Sequence, residues 1–317
     1  MSTKSNIQGR AYEYACLLSL FENIGKIRSV QICETPNFFN CKEAWEKLSV
    51  NDQNLYILSA SAAVVKIFEL EPRIIEESTT PLQLFIQSDK AGEEGDVRDI
   101  LIIRDEIEWE IGLSLKHNHF AVKHSRLASK LDFANSWFNI PCSHQYWTEV
   151  SPIFNRLEKL REQNAQFKDI ENKDEEIYIP ILKAFIKELT RLMENNTDVP
   201  GKLVEYLLGR YDFYKVISVD SQEFTTIQSV NLHGTLNQPS STTIPALAIP
   251  KVKMPTRLIH LGLVPESTTT VELYLDGGWQ FTFRIHNASS RVEPSLKFDI
   301  KIIGMPTAVI TLNCRWI

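Results

Sequence analysis

The sequence predicts an α/β (α+β) fold, in which a mixed sheet is flanked by helices and a β-rich region follows toward the C-terminus. Apolar residues recur at helical spacing over residues 9–24, and apolar and polar residues alternate over 99–116. After Tyr211, β-branched and aromatic residues alternate with polar ones in several short runs. We therefore expect a helix-rich part, 1–210, and a β-rich part, 211–317, with a soft boundary that also allows one compact unit.

The first half of the chain divides into elements by local pattern. The first predicted helix ends at Gly25, because glycine favours the position after a helix C-terminus. Two more helices, a strand, a hairpin and a further helix follow in order. Their expected ranges are 42–47 and 54–68 for the helices, 81–87 for the strand, 99–116 for the hairpin and 120–137 for the last helix.

In the second half of the chain, the residue pattern changes from one typical of helices to one typical of strands. Residues 147–209 have a charged, helical pattern, and the acidic run 171–176 indicates a solvated loop or a helix start. Residues 237–243 indicate a polar loop, and 276–278 (Asp-Gly-Gly) form the clearest hairpin turn. The strand-like runs are FYKVISV, FTTIQSV, TVELYL, WQFTFRI, LKFDIKII and AVITLNCRW.

Composition limits the classes to which the protein can belong. With 317 residues, 43% hydrophobic and 23% charged, the chain is long enough for a real core and typical of a water-soluble protein. No apolar run approaches the ~18 residues of a membrane helix, and the N-terminus lacks a signal-peptide core. We expect a cytoplasmic protein that does not bind a membrane. Five cysteines without paired spacing argue against a disulfide framework and a structural zinc site.

Net charge argues against a protein coated with basic residues, but a local basic groove remains compatible with it. The formal charge is −6, whereas residues 111–131 carry only basic charges and three histidines. Nucleic-acid binding depends on the patch that faces the phosphates, so this segment is a candidate contact surface.

The hairpin 99–116 carries the strongest chemical signal. Asp99 opens an apolar strand, and alternation places Ser114 and Lys116 on the same face of the next strand. A sheet can bring Asp99 beside both of them. Carboxylate oxygens suit Mg²⁺, and a nearby ammonium can stabilise charge on a phosphate. We therefore expect Asp99, Ser114 and Lys116 to form a catalytic site, although a structural hairpin with a solvated lysine has the same pattern.

This arrangement resembles the PD-(D/E)xK nuclease signature, in which an Asp and a Glu bind Mg²⁺ and a Lys orients or activates water. The position of the second acid is occupied here by Ser114, so another carboxylate must replace it. Glu13 on the first helix is our choice, because the resemblance implies that an acid of the first helix completes such sites. The alternatives are Glu110, on the same strand face, and Asp132, while Asp96 is an alternative to Asp99.

Basic residues and histidines after the hairpin extend the candidate site. On the predicted helix, Lys123, Arg126 and Lys130 have the spacing i, i+3 and i+7 and would share one face, either in contact with DNA phosphates or simply solvated. The histidines are less informative as metal ligands, and hydrogen bonding to phosphate or to Asp99 is the favoured role. They are His117, His119 and His124.

Longer segments resemble the HaeIII-type type II restriction endonucleases over almost the whole chain. These segments are IQGRAYEYACLLSL, GDVRDILIIRD, IGLSLKHNHFAVKHSRL, LLGRYDFYKVI and GWQFTFRIHNASSRVEPSLKFDIKIIGMP. The resemblance implies a PD-(D/E)xK restriction-endonuclease-like core and Mg²⁺-dependent cleavage of double-stranded DNA within GGCC. It also implies a functional pairing with a cognate DNA cytosine methyltransferase.

Recognition of the bases is expected in the β-rich region between Trp279 and Lys297. Arginine can bond bidentately to guanine and a glutamate can accept from cytosine, although each residue has an ordinary surface interpretation. A palindromic site suggests a homodimer on DNA, with a monomer as the alternative. The candidate residues are Arg284, His286, Asn287, Ser289, Ser290, Arg291 and Glu293.

Two other functions fit the same residues. Ser114 in the acid position fits a DNA-binding module with a decayed site, and the hairpin alone fits a repair or recombination nuclease that recognises DNA shape. Cleavage of a plasmid into discrete fragments distinguishes a restriction endonuclease from both.

Overall fold

Four chain crossings divide the protein into two units. The computed structural model describes residues 4–88, 90, 95–118 and 121–316. One unit comprises 1–120, 209–252 and 307–317, and the other comprises 121–208 and 253–306. These units are not the two continuous parts that were expected, because the β-rich region contributes strands to both. Only the boundary at 208–209 lies near the predicted change of texture.

The first unit is built on a seven-stranded mixed sheet with the order β1-β2-β3-β4-β6-β7-β12. Strands β2, β3 and β4 form an antiparallel meander, whereas β6 pairs with β4 in parallel. A parallel pair needs a long crossover, and residues between β4 and β6 supply it. The strands are β1 (Val30–Cys33), β2 (Leu82–Ile86), β3 (Ile100–Arg104), β4 (Trp109–His117), β6 (Phe213–Val219), β7 (Phe224–Val230) and β12 (Thr311–Arg315).

Three helices of the first unit, α1 (Lys4–Gly25), α2 (Pro36–Glu46) and α3 (Val50–Leu70), share a core with the sheet. Thr35 and Ser49 cap α2 and α3, since each side chain accepts a hydrogen bond from a free backbone N–H of the first turn. The fully buried core side chains include Leu17, Leu20, Ala60, Ile67, Leu84, Ile102 and Val216.

The second unit is an antiparallel five-stranded sheet with the order β5-β11-β10-β9-β8, accompanied by four helices. Phe185 packs against Phe283 and Phe298, which places an aromatic core on one sheet face. The strands are β5 (Ala121–Ala128), β8 (Leu258–Leu263), β9 (Thr270–Leu275), β10 (Gln280–His286) and β11 (Ser295–Gly304). The helices are α4 (Phe133–Phe138), α5 (His144–Glu162), α6 (Ile179–Asn195) and α7 (Val199–Leu208).

The predicted α+β class is confirmed, as are the first helix, the strand near 81–87, the hairpin 99–116 and the six strands after residue 211. The helix expected over 120–137 is wrong. That segment forms β5, a turn and the short helix α4, because β5 pairs with the distant strand β11. Strands β1 and β8 were not expected, and the acidic run near 171–176 leads into a π-helical turn before α6.

The cysteines and the helices show two further features of the chain. All five cysteines are free thiols, namely Cys16, Cys33, Cys41, Cys142 and Cys314. Over the part of the chain that the structure describes, no helix has the length and apolar character needed to cross a membrane.

Candidate active site

The antiparallel pairing of β3 with β4 brings Asp99, Ser114 and Lys116 together. Ile100 pairs with Leu113, so the register places Asp99 opposite Ser114 at the start of β3. The backbone N–H of Asp99 donates to Leu113 O over 2.7 Å, which ties Asp99 to β4 just before β3 begins. Lys116 follows two positions after Ser114 and therefore lies on the same face.

One oxygen of Asp99 collects the local hydrogen bonds. Its Oδ2 accepts from the backbone N–H of Leu115 over 2.5 Å, from Ser114 Oγ over 3.4 Å and from Lys116 Nζ over 3.3 Å. The Lys116 and Asp99 side chains are 29% and 25% exposed, so the pair is open enough to meet a ligand. Ser114, in contrast, is buried, and its hydroxyl group helps to orient the Asp99 carboxylate.

Glu13 on α1 lies close to the same region. Its Oε2 accepts a hydrogen bond from Cys41 Sγ over 3.3 Å. Burial raises the pKa of the neighbouring Cys16 thiol, and the carboxylates of Glu13 and Asp99 both raise it further. Both carboxylates therefore lie within electrostatic range of the Cys16 thiol. Glu13 is thus placed near the Asp99 pair.

Asp96 and Glu110, two alternative ligands, are instead ion-paired with Arg98. Arg98 Nη2 lies 2.7 Å from Asp96 Oδ2, and Arg98 Nη1 lies 2.7 Å from Glu110 Oε1. Burial raises the pKa of Asp96, but hydrogen bonds from Arg98 and Gln87 outweigh this effect and hold the pKa below its usual value. Both acids therefore share one cationic partner, Arg98.

Arg98 is a residue that the sequence interpretation missed. Its buried side chain crosses the backbone of Gly112, and its guanidinium carbon lies 4.1 Å from the centre of the Tyr211 ring. A signal was present, because a glycine inside a strand often marks the close approach of another group. Arg98 fixes the segment that leads directly into Asp99.

Asp132, the remaining alternative, caps a helix in the second unit. Its Oδ1 accepts from the backbone N–H of Asn135 over 2.9 Å, and both of its oxygens accept from the N–H of Cys142. This is the geometry of a helix N-cap. Asp132 therefore has a structural role that explains its type without a metal.

The donor set around Asp99 fits a hard divalent cation such as Mg²⁺. Asp99 Oδ1 accepts no hydrogen bond from the described residues, and Glu13 supplies a second carboxylate nearby. No cluster of three or more His, Cys, Asp or Glu side chains occurs in the described part of the chain. Two carboxylates suffice for Mg²⁺, which usually keeps several waters and binds substrate phosphates.

The expected hydrogen bond between a histidine and Asp99 is absent for His117. Its Nε2 lies 2.7 Å from Asp220 Oδ2, and its ring packs on Tyr56, on the face of β4 opposite Lys116. Burial raises the pKa of Asp220, but hydrogen bonds from His117 and Ser218 bring it down to about 2. His119 and the side chain of His124 lie outside the described residues.

The three basic residues expected on one helical face do not share a face. Residues three apart on a strand point to opposite sides, so Lys123 and Arg126 of β5 diverge. Lys123 Nζ donates to Tyr206 O over 2.9 Å and lies over the Tyr206 ring, whereas Arg126 pairs with Glu293. Lys130 is exposed in the turn after β5.

The candidate base-reading residues lie on β10 and in the loop that follows it. Arg284 on β10 is mostly exposed and faces Asp299 of β11 over 3.4 Å. At the end of β10, His286 Nδ1 lies 2.8 Å from Asn287 O. In the loop, Asn287 Nδ2 donates to Ser289 O and Ser289 Oγ accepts from the Arg291 N–H. The Ser290 carbonyl accepts from the Phe167 N–H.

Comparison with known proteins identifies the family. The family model described as HaeIII restriction endonuclease matches residues 9–306. The chain is 49% identical to the type II restriction enzyme HaeIII of Haemophilus aegyptius over 317 residues, which is 100% of this chain and 99% of that protein. No solved structure matches the chain. The chain belongs to the HaeIII restriction endonuclease family and is a type II site-specific deoxyribonuclease.

Proposed function

We propose that the protein cleaves double-stranded DNA within GGCC in a Mg²⁺-dependent reaction at the Asp99–Lys116 pair. The observation that carries the proposal is the convergence of Asp99, Ser114 and Lys116 across β3 and β4, with Glu13 nearby. Type II restriction endonucleases generally need a divalent metal ion, and the relationship to the HaeIII enzyme supports the same recognition sequence.

In this proposal Asp99 and Glu13 hold the ion through carboxylate oxygens. When bound, Mg²⁺ neutralises charge on the phosphate and lowers the pKa of a coordinated water. The Leu115 N–H and the Ser114 hydroxyl fix Asp99 Oδ2, which would leave Oδ1 available to hold the ion. Lys116, held by Asp99, places its ammonium where charge develops on the phosphate and so stabilises the transition state.

Sequence recognition is assigned in this proposal to the second unit, at β10 and the loop 287–291. Arg284 and Arg291 are the candidates for guanine contacts, and Glu293 for a cytosine contact. Arg284 and Glu293 are both largely exposed and are held by long ion pairs to Asp299 and Arg126, so both side chains can turn toward another partner.

The cellular setting follows from the same assignment. A palindromic target is matched by two copies of the chain related by a twofold axis, so we propose a homodimer on DNA. A restriction enzyme requires protection of the host DNA, which a cognate cytosine methyltransferase would provide. We place the protein in the cytoplasm, with the DNA it cuts.

A plasmid digest tests the function directly. Unmodified plasmid incubated with the protein and Mg²⁺ should give the fragment ladder of its GGCC sites, and EDTA should abolish cutting. Plasmid methylated at the cytosines of GGCC should remain intact. A ladder that corresponds to another sequence would change the proposed specificity, whereas an uncut plasmid in every divalent metal would remove the nuclease assignment.

A further inference from the structure

Lys215 extends the polar row of the candidate site onto a third strand. The parallel pairing of β4 with β6 places Lys215 beside Ser114, and the hydrogen bond from Ser114 Oγ to Asp99 Oδ2 places Asp99 on the other side of Ser114. Side chains in register on neighbouring strands point to the same face of a sheet. Asp99, Ser114 and Lys215 therefore form one row, and Lys116 lies one step along the same face.

The ammonium of Lys215 lacks a counter-ion in the part of the chain that the structure describes. The residue is 8% exposed, yet no carboxylate and no hydrogen-bond acceptor among the described residues contacts its Nζ. A lysine with so little exposure is usually paired, and the Lys215 Nζ is not among the fully buried polar atoms without a partner, so the ammonium can be reached from the surface of the site. The position therefore calls for a partner that binds from outside the chain.

The nearest charged neighbour, Lys116, makes a positive charge on Lys215 still less favourable. Burial and, to a smaller extent, the positive charge of Lys116 together lower the pKa of Lys215 to about 8. Asp99 does not compensate, because its Oδ2 is already bonded to Lys116, Ser114 and the Leu115 N–H. Two like charges on one face, with a single carboxylate between the strands, form a site that favours an anion.

We propose that Lys215 is a second phosphate-binding lysine of the cleavage site, acting beside Lys116 on the non-bridging oxygens of the DNA phosphate. The proposal deepens the proposed function, since the ligand is the phosphodiester that the Asp99–Lys116 pair cuts. The phosphate supplies a negative charge for Lys215, whereas Lys116 already contacts Asp99. Lys215 thus has a binding role that the Asp-Ser-x-Lys pattern does not contain.

A structural lysine and a phosphate-binding lysine predict opposite effects on the stability of the free protein. If Lys215 stabilised the core of the folded protein, its replacement would lower the melting temperature. If Lys215 instead binds the DNA phosphate, Lys215→Met removes a charge that has no partner in the free protein and retains the aliphatic stem. The melting temperature of the free protein should then stay the same or increase. Lys215→Arg retains the charge and should preserve phosphate binding in part.

The experiment compares wild type, Lys215→Met, Lys215→Arg and Lys26→Met, an exposed lysine of the same unit, as the matched control. Single-turnover cleavage of a GGCC duplex with Mg²⁺, affinity for that duplex in EDTA at several salt concentrations, and melting temperature without DNA are measured. Lys215→Met should cut about 100-fold more slowly. Its salt dependence of binding should fall by about one phosphate contact, while Lys215→Arg cuts at least 10-fold faster than Lys215→Met.

The outcomes separate this inference from the proposed function. Cleavage by Lys215→Met within about 3-fold of wild type overturns the role of Lys215 and leaves the nuclease assignment intact. A melting temperature lowered in both Lys215 variants assigns the residue to the core and overturns the inference as well. If wild type itself fails to cut, the affinity and salt dependence in EDTA still decide whether Lys215 binds phosphate.

Discussion

At the residue scale, the two oxygens of Asp99 have different surroundings. Oδ2 accepts three hydrogen bonds from Ser114, Leu115 and Lys116, whereas Oδ1 accepts none from the described residues. A carboxylate held in this way is fixed in orientation before any ion arrives. Preorganisation of this kind lowers the free energy that positioning would otherwise require during the reaction.

Asp99 and Lys116 should both be indispensable for cleavage. We expect Asp99→Ala and Lys116→Ala to reduce cutting by about 1,000-fold or more, because loss of a metal ligand or of a charged group at the phosphate removes several kcal/mol of transition-state stabilisation. Lys116→Ala should still bind DNA, which a gel-shift assay in Ca²⁺ measures. Near-normal cleavage by either variant in Mg²⁺ would remove the assignment of this site.

Glu13 should supply the carboxylate that Ser114 cannot. Glu13→Gln is expected to depress cleavage far more than Glu110→Gln or Asp132→Asn, because Glu110 is engaged by Arg98 and Asp132 caps α4. Cleavage rates over a Mg²⁺ titration measure the effect, and circular dichroism checks that each variant is folded. An inactive Asp132→Asn variant beside an active Glu13→Gln variant would assign the ligand to Asp132 instead.

At the element scale, the close contact between Arg98 and β4 requires a glycine at position 112. A Cβ built on Gly112 overlaps Arg98 Cβ, Cγ and Cδ, so no residue with a side chain fits without displacing Arg98. We expect Gly112→Ala to lower the free energy of unfolding by about 1–3 kcal/mol, as overpacking does in cores. Gly9→Ala on α1, where a Cβ meets nothing within 4 Å, is the control. Equal melting temperatures for the two variants would contradict the packing argument.

A buried glutamate at the end of α3 should make stability depend on pH. Burial raises the pKa of Glu71 and outweighs the hydrogen bonds from the Asn237 N–H and Tyr214 Oη, so that the pKa is about 7. Because the folded-state pKa exceeds the unfolded value of about 4.3, the native state binds this proton more tightly. The contribution of Glu71 to stability is therefore complete below about pH 4 and is lost as pH rises to about 7.

The measurement is the difference between wild type and Glu71→Gln, which keeps an acceptor oxygen and cannot titrate. Between pH 5 and pH 8, wild type should lose roughly 1–3 kcal/mol of unfolding free energy relative to Glu71→Gln, as urea or thermal unfolding reports. Parallel pH profiles for the two proteins would show that Glu71 ionises at an ordinary pKa.

Local pattern predicted the elements whose pairing partners are close in sequence and failed where they are distant. The hairpin of β3 and β4 has short-range pairing, and its alternation gave the register that brings Asp99 to Ser114. Strand β5 was mistaken for a helix because its charges have helical spacing by chance, while its true determinant is β11, about 170 residues away. Strand β1 was missed because four residues are too few to show a period.

The residues of the candidate site were likewise predictable only where they lie close together in the sequence. Asp99, Ser114 and Lys116 lie within one hairpin, and alternation alone places them on one face. Lys215 and Arg98 were not found, since a lysine inside FYKVISV looks like an ordinary solvent-facing residue until β6 is known to pair with β4. Contacts of this kind depend on the topology of the sheet, which no local pattern contains.

At the scale of the whole molecule, the two sheets carry different groups. The sheet of the first unit holds the carboxylate and lysines proposed for cleavage, and the sheet of the second unit holds Arg284 on β10. Both units are built from separated segments of the chain, so neither can be excised at a single boundary. Tests of recognition therefore use point variants of the full chain rather than isolated domains.

Arginines of the second unit should affect specific binding more than non-specific binding. Arg284 is mostly exposed and held only by Asp299, so Arg284→Ala should leave the fold intact while removing a contact worth ~1–3 kcal/mol of base discrimination. The same reduction is expected for Arg291→Ala, in the loop after β10.

Lys130→Ala, at an exposed turn, should instead weaken binding to all sequences and flatten the salt dependence, because a phosphate contact carries no sequence information. Affinities for GGCC and scrambled duplexes at several salt concentrations measure this difference. Equal losses on both duplexes for both arginine variants would place base recognition outside the segment from Trp279 to Lys297 without affecting the nuclease assignment.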